Sequence, residues 1–301
     1  MHGLQSGPVF DLLVVGDCNP DLLIAGADVV PEFGQREKRV DAASLVVGGS
    51  AAIAACGAAR LGLRTAFVGA VGDDALGRFM LDALAERGVD AGWSPVEPGA
   101  STGITVALVC RDDRAMLTAT GAMAALSAGQ VDRALLAMSR HVHVASYFLL
   151  DGLQPGLPAL VAEAHGHGAT VSINPQGDPS GAWDSGLPEL IPEIDVLFVN
   201  EDEDLHIDSR ACPCVVVRRG RRGAAVRTSA GVVEHPAVAV DAVDATGAGD
   251  SFDAGFLAAW LAGETPESAL ALACACGALS TRAVGGTAAQ PTMAEARGVL
   301  A

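Results

Sequence analysis

The chain has 301 residues, a formal net charge of −17, a hydrophobic content of 50% and 36 glycines. That length buries a large core, as one α/β domain or as a main domain with a smaller appendage. The charge argues against a nucleic-acid backbone or an anionic membrane as partner. The only lysine, Lys38, is followed by Arg39, which excludes a P-loop and the Val-Ala-Ile-Lys strand of a protein kinase.

Seven cysteines at scattered spacing point to a reducing compartment, not a disulfide framework. Cys212-Pro-Cys214 lacks the spacing and the second pair of a zinc site, and Cys274 and Cys276 read as small hydrophobes of an Ala-rich helix. The N-terminus shows no basic-then-apolar signal pattern. The uncharged run at residues 44–59 is Gly-interrupted and too short to span a bilayer. A soluble, cytoplasmic protein is expected.

In chain order, Asp11-Leu-Leu-Val-Val-Gly16 reads as a buried first strand. It runs into Asp17-Cys-Asn19-Pro-Asp21, where alternate residues of an extended segment share a face. Asp17, Asn19 and Asp21 are therefore expected to converge on one ligand, and their oxygens suit a polyhydroxy compound. The competing reading is an Asx-rich turn. Gly48-Gly49 opens an Ala-rich helix at Ser50. Residues 64–69 read as a strand, and Gly72-Asp73-Asp74-Ala-Leu-Gly77 caps a helix running to about Arg87. This alternation is the doubly wound α/β pattern.

The pattern breaks between about Trp93 and Ala122, where residues 102–110 and 115–120 flank a polar turn at 111–114. With residues 24–44 they are expected to form a separate small sheet, placed as a lid beside Asn19 and Asp21. Strands then resume at 141–147, 169–173, 195–199 and 214–217, with a helix at 157–166 and residues 224–228 pairing back. His141 and His143 read as core or strand-face residues and not as metal ligands. The basic cluster at residues 218–222 suits either a triphosphate or a solvated hairpin turn. A helix at 267–282 and Gly285-Gly286 close the chain.

The most informative stretch is Asp244-Ala-Thr-Gly-Ala-Gly-Asp250-Ser-Phe252. The apolar run 236–240 before it reads as a strand. After it, Phe252, Phe256 and Trp260 repeat four apart on one helix face. Between them Gly247, Ala248 and Gly249 permit a tight turn with bare N–H groups, which together with the helix dipole make an anion site. Asp250 stands beside it in the first turn; the plainer reading makes it a dipole partner only. A Rossmann dehydrogenase is set aside, because the segment after Gly16 has no G-x-G-x-x-G.

Together these segments resemble the ribokinase-like (PfkB-type) carbohydrate kinases. Residues 244–252 follow that family's C-terminal signature and Gly48-Gly49 its N-terminal one. Residues 69–77, the lid strand beginning Thr102-Gly-Ile-Thr-Val and the Asn200-x-x-Glu203 motif complete the family's order, from about Leu12 to about Pro291. The resemblance implies an α/β, ribokinase-like fold: a mainly parallel central sheet flanked by helices, with a small β-sheet lid. It implies one domain over residues 1–301, with the lid at roughly 22–46 and 93–121.

The resemblance further implies ATP-dependent phosphotransfer to a hydroxyl of a sugar or sugar-like substrate, with Mg2+. Gly247, Ala248 and Gly249 would form the anion hole and Asp250 the catalytic base. Asn19, Asp21, Gly48, Gly49 and Ile53 would face the substrate. Asn200, Glu203, Arg218, Gly220, Gly223 and Thr246 would face the nucleotide, with Glu203 meeting Mg2+ through water. Asp244 and Thr246 resemble the seat of a monovalent cation, K+, in some members. An exposed lid edge invites a homodimer through β pairing.

On physical grounds a carboxylate at a helix N-terminus is held ionised. Asp250 is thus expected to orient the hydroxyl and to take its proton late, in a loose transition state where positioning dominates. Three positions depart from the family: Ile53 replaces a substrate-contacting Asn, Arg218 a strand-ending Thr, and Asn174 a frequent Asp. Ile53 makes the expected pocket more apolar, so a nucleoside kinase is the alternative. A catalytically silent sugar-binding protein is the third reading, whose mark would be loss of the base or anion hole; both are present.

Overall fold

The computed structural model describes residues 8–110 and 113–300. Apolar, β-branched runs bounded by glycine or polar residues form the strands of one large sheet. Its spatial order is Gly231–His235, Ala224–Thr228, Cys214–Arg218, Val196–Asn200, Thr170–Asn174, His141–Ala145, Leu12–Val15 and Thr65–Val68. The strands from Cys214–Arg218 to Thr65–Val68 are parallel, and the two at the other edge turn back antiparallel.

Leu12, Leu13, Val14 and Val15 are all buried because alternate residues enter different cores. Leu12 and Val14 join the core made with the helices Ser50–Arg60, Ala248–Leu261 and Pro266–Ser280. Leu13 and Val15 join the core made with Arg133–Met138 and Leu157–Gly166 on the opposite face. Burying each such side chain contributes about 1.5–3 kcal/mol, so the sheet is anchored on both faces. His141 and His143 lie in the core as expected, linked through the Ser172 hydroxyl. All seven cysteines are free. Among the described residues no helix is long and apolar enough to cross a membrane.

One expected strand is absent. Pairing stops at His235, and the run 236–240 is irregular. Pro236 has no N–H to donate to a ladder, and Val238 and Val240 pack against the helical core instead.

A second, smaller sheet has the order Ala42–Val47, Pro20–Ala25, Ile104–Cys110, Asp113–Ala119. Residues 111 and 112 of the expected polar turn lie outside the described residues. Asp21 is in register with Thr105, and Thr105 with Thr118, so three polar side chains are neighbours across this sheet. The parallel strands of the large sheet end at one edge, which is where open α/β sheets bind ligands. Gly16, Asn174, Asn200 and Arg218 each close or follow one of those strands.

Candidate active site

The helix Ala248–Leu261 starts from Gly247, which takes a left-handed conformation at φ 70°. A Cβ there would lie 2.7 Å from Gly286 Cα and 2.9 Å from Ile53 Cγ2, so only glycine fits the turn. The N–H groups of Gly247, Gly249 and Asp250 meet no acceptor among the described residues, whereas Ala248 N reaches Ala245 O at 3.3 Å. Three N–H groups are thus open at the positive end of the helix dipole, and that of Ala248 is turned inward.

Asp250 is 5% exposed in the first turn of that helix. Gln176 Nε2 donates to its Oδ1 at 3.4 Å and to Ser50 Oγ at 2.6 Å, and the Ser50 hydroxyl hydrogen-bonds the same carboxylate. Gln176 holds this pose at φ 59°, a left-handed conformation unusual for a side-chain-bearing residue. The helix N-terminus is not the dominant influence on the Asp250 carboxyl. Burial first, and the neighbouring Asp253 next, push its pKa up to about 7, against the opposite pull of Ser50 and Arg218. Desolvation outweighs the dipole here, and the result is a carboxyl poised near neutrality.

Beneath it, Arg218 Nη1 donates to Asp253 Oδ1 and Oδ2 at 3.1 and 2.9 Å, and Nη2 to Asn174 Oδ1 at 3.3 Å. Glu203 Oε2 lies 3.5 Å from Nη2. Glu203 also accepts from Asn200 N at 2.7 Å, while Asn200 Oδ1 accepts from the N–H groups of Asp202 and Glu203, a reciprocal cap. The basic cluster is therefore no single patch. Arg218 turns inward, Arg219 pairs with Glu234 and Arg222 with Glu201. Gly220 opens a short 3-10 turn and Gly223 ends it, its carbonyl accepting from Arg219 N at 2.8 Å.

On the other side of the anion turn, Asn19 Nδ2 donates to Thr105 Oγ1 at 3.1 Å, and Thr105 Oγ1 lies 3.1 Å from Thr118 Oγ1. Asp21 is drawn close to Gly48: a Cβ on Gly48 would lie 2.0 Å from Asp21 Oδ1. Burial, with help from Asp17, raises the pKa of Asp21 to about 7, while Arg114 pulls it down. Asp17 does not join this face. Its carboxylate accepts from Ser50 N and Ala51 N at 2.9 and 2.8 Å, capping the helix behind Gly49. Bare donors at that helix start outcompete the convergence expected from strand alternation. Ile53, 3% exposed, packs under Gly247 and Gly286 and offers the cleft no polar atom.

Asp244 accepts from Thr246 N and Oγ1 at 2.8 and 2.7 Å and from Gly285 N at 2.8 Å. Burial opposes its ionisation, but these bonds hold its pKa below the usual value. Arg114 reaches across from the small sheet, donating from Nη1 to Thr246 Oγ1 at 2.7 Å.

Known proteins resemble this chain along nearly its whole length. The family described as pfkB family carbohydrate kinase matches residues 9–293. The chain belongs to that family.

A curated relative, an ATP-dependent ribose-1-phosphate kinase of Halopiger xanaduensis, is 36% identical over 244 residues, 77% of this chain and 79% of that protein. The solved adenosine kinase of Sinorhizobium meliloti superposes with a TM-score of 0.85 at 25% identity, covering 97% of this chain and 99% of that one. A protein designated ribokinase II from E. coli, in complex with ATP and Mg2+, has a TM-score of 0.85 at 24% identity, covering 97% and 99%. This pfkB carbohydrate kinase thus carries out ATP-dependent phosphotransfer to a sugar. Among its described residues no group of three or more His, Cys, Asp or Glu stands together as a metal cage.

Sequence reading missed Ser50, Gln176, Asp253, Thr105 and Arg114. Ser50 follows Gly48-Gly49 directly and Asp253 lies one turn after Asp250, so both were open to inspection by helical spacing. Gln176 and Arg114 carried no such signal.

Proposed function

We propose that this pfkB kinase transfers the γ-phosphoryl group of ATP to a hydroxyl of a sugar that already carries an anionic group such as phosphate. The observation behind the anionic group is Arg114. Its guanidinium bridges from the small sheet, acting as a lid, to Thr246, and its charge acts on Asp21 and Asp244. A planar fork at the junction of sugar face and anion turn suits a second phosphate. The similarity to a ribose-1-phosphate kinase supports the same class.

In this reading Asn19 and Asp21 hold sugar hydroxyls, and Gly48 and Gly49 let them come close. Asp250, steadied by Ser50 and Gln176, accepts the proton of the attacking hydroxyl. That oxygen bonds to the γ-phosphorus as the bond to the ADP oxygen breaks. The N–H groups of Gly247, Gly249 and Asp250, around Ala248, receive the charge on the transferring group. Asn200 and Glu203 would hold a magnesium ion through its waters, and that ion would offset the charge of the triphosphate. The turn at Gly220 and Gly223 lies along the nucleotide, and Asp244 and Thr246 seat a monovalent cation such as K+. Two copies pair through the small sheet, whose open edge strands expose Leu45, Met116 and Leu117.

A nucleoside kinase is the second reading, favoured by the adenosine kinase likeness. An ADP-release assay over neutral sugars, sugar phosphates and nucleosides, in K+ buffer, separates the two. We expect the highest kcat/KM with a sugar phosphate. Arg114→Gln should lower that value by about ten- to a hundredfold, as for a lost charged hydrogen bond, with neutral sugars barely affected. A neutral sugar or nucleoside as best substrate, indifferent to Arg114→Gln, contradicts the proposal.

A further inference from the structure

Three positions that look unrelated in the sequence meet under the anion turn. Asn174 ends one strand, Arg218 ends the next but one, and Asp253 stands one helical turn beyond Asp250. Their hydrogen bonds close a ring: Asn174 Nδ2 donates to Asp253 Oδ2 at 2.7 Å, and Arg218 donates to Asp253 and to Asn174 Oδ1. An Asp at 174 would set a second carboxylate against Asp253, so Asn174 and Arg218 belong to one charge arrangement. The side chains of Arg218, Glu203 and Asp253 are 12%, 3% and 0% exposed. Buried charges of this kind persist only when paired. A Cβ on Gly249 would lie 3.1 Å from Arg218 Nη1, so the cation lies directly against the backbone of the anion turn.

Resting on the kinase reading, we propose that Arg218 is a positioning residue for phosphoryl transfer: clamped by Asp253, Asn174 and Glu203 beneath Gly249, its guanidinium fixes the anion turn and the local charge in which Asp250 works. A fixed cation needs no reorganisation when charge builds on the transferring group. The charged groups around Asp250 act in opposite senses: Asp253 and Asp17 favour its neutral form and Arg218 its ionised form. Arg218 in turn faces Glu203 and, across the strands, the buried His143.

The test compares Arg218→Met, Arg218→Lys and Asp253→Asn with the parent enzyme, after thermal melts have established that each folds. The readouts are pH profiles of kcat and 13C NMR titration of the Asp250 carboxyl, assigned by its loss in Asp250→Asn. For Arg218→Met we expect kcat to fall about tenfold or more and the acid limb to move up by about one pH unit. Asp253→Asn should move the limb down. Arg218→Lys should restore the limb while kcat stays reduced, because an ammonium lacks the fork. An Arg218→Met enzyme whose limb and Asp250 titration both stay in place overturns the proposal, whatever its kcat. If the parent turns over no substrate, the kinase reading fails; the NMR titration, which needs no turnover, still shows whether Arg218 sets the Asp250 charge.

Discussion

At Asp250 two effects of opposite sign meet. The helix N-terminus favours the carboxylate, and burial beside Asp253 favours the acid. Burial wins and raises the pKa to about 7, which poises the proposed proton acceptor near neutrality. Because the ionised form accepts the substrate proton, kcat/KM should rise with pH through an acid limb near that value. A limb near pH 4, the range of an ordinary carboxylate, contradicts this. Stability has the opposite slope. A folded pKa raised above the unfolded one means that the folded chain holds the proton more tightly. Its contribution is present at low pH and lost as pH rises through about 7. Asp250→Asn removes the buried charge, so its Tm should exceed that of the parent by a few degrees at pH 8, with the gap closing towards pH 5.

The elements themselves were legible because their signals are local. Gly48-Gly49, the cap at Asp74 and the turn at Gly247 announce helix starts by chemistry confined to a few residues. The run 236–240 misled because its β-branched pattern ignores Pro236. Asp17 misled because its partner, the start of the helix Ser50–Arg60, lies 33 residues away. Close approach also belongs to this scale. Gly48→Ala would drive a methyl group into the Asp21 carboxylate, so KM for the sugar should rise about tenfold or more with KM for ATP unchanged. An equal rise in both would mean a general distortion of the helix start.

The whole molecule explains what the sequence left illegible. The parallel strands deliver loops from distant parts of the chain to one edge. Gln176 thereby meets Ser50 from 126 residues away, and the small sheet brings Arg114 to Thr246 from 132. No local pattern encodes such pairs; they follow from strand order. The same view bears on assembly. With Leu45, Met116 and Leu117 41%, 61% and 64% exposed on the small sheet, sedimentation should find a dimer that Met116→Lys with Leu117→Lys dissociates. A monomeric parent would remove the lid from any role in pairing.

The most direct test of the central assignment is ADP release by Asp250→Asn and the parent enzyme on the best sugar phosphate at pH 8. We expect robust turnover by the parent and a loss in kcat of about 10²–10⁴-fold in the variant, with KM values little changed. Undiminished turnover by Asp250→Asn would contradict the assignment of the base, and sugar binding without any turnover by the parent would make this a silent binding protein.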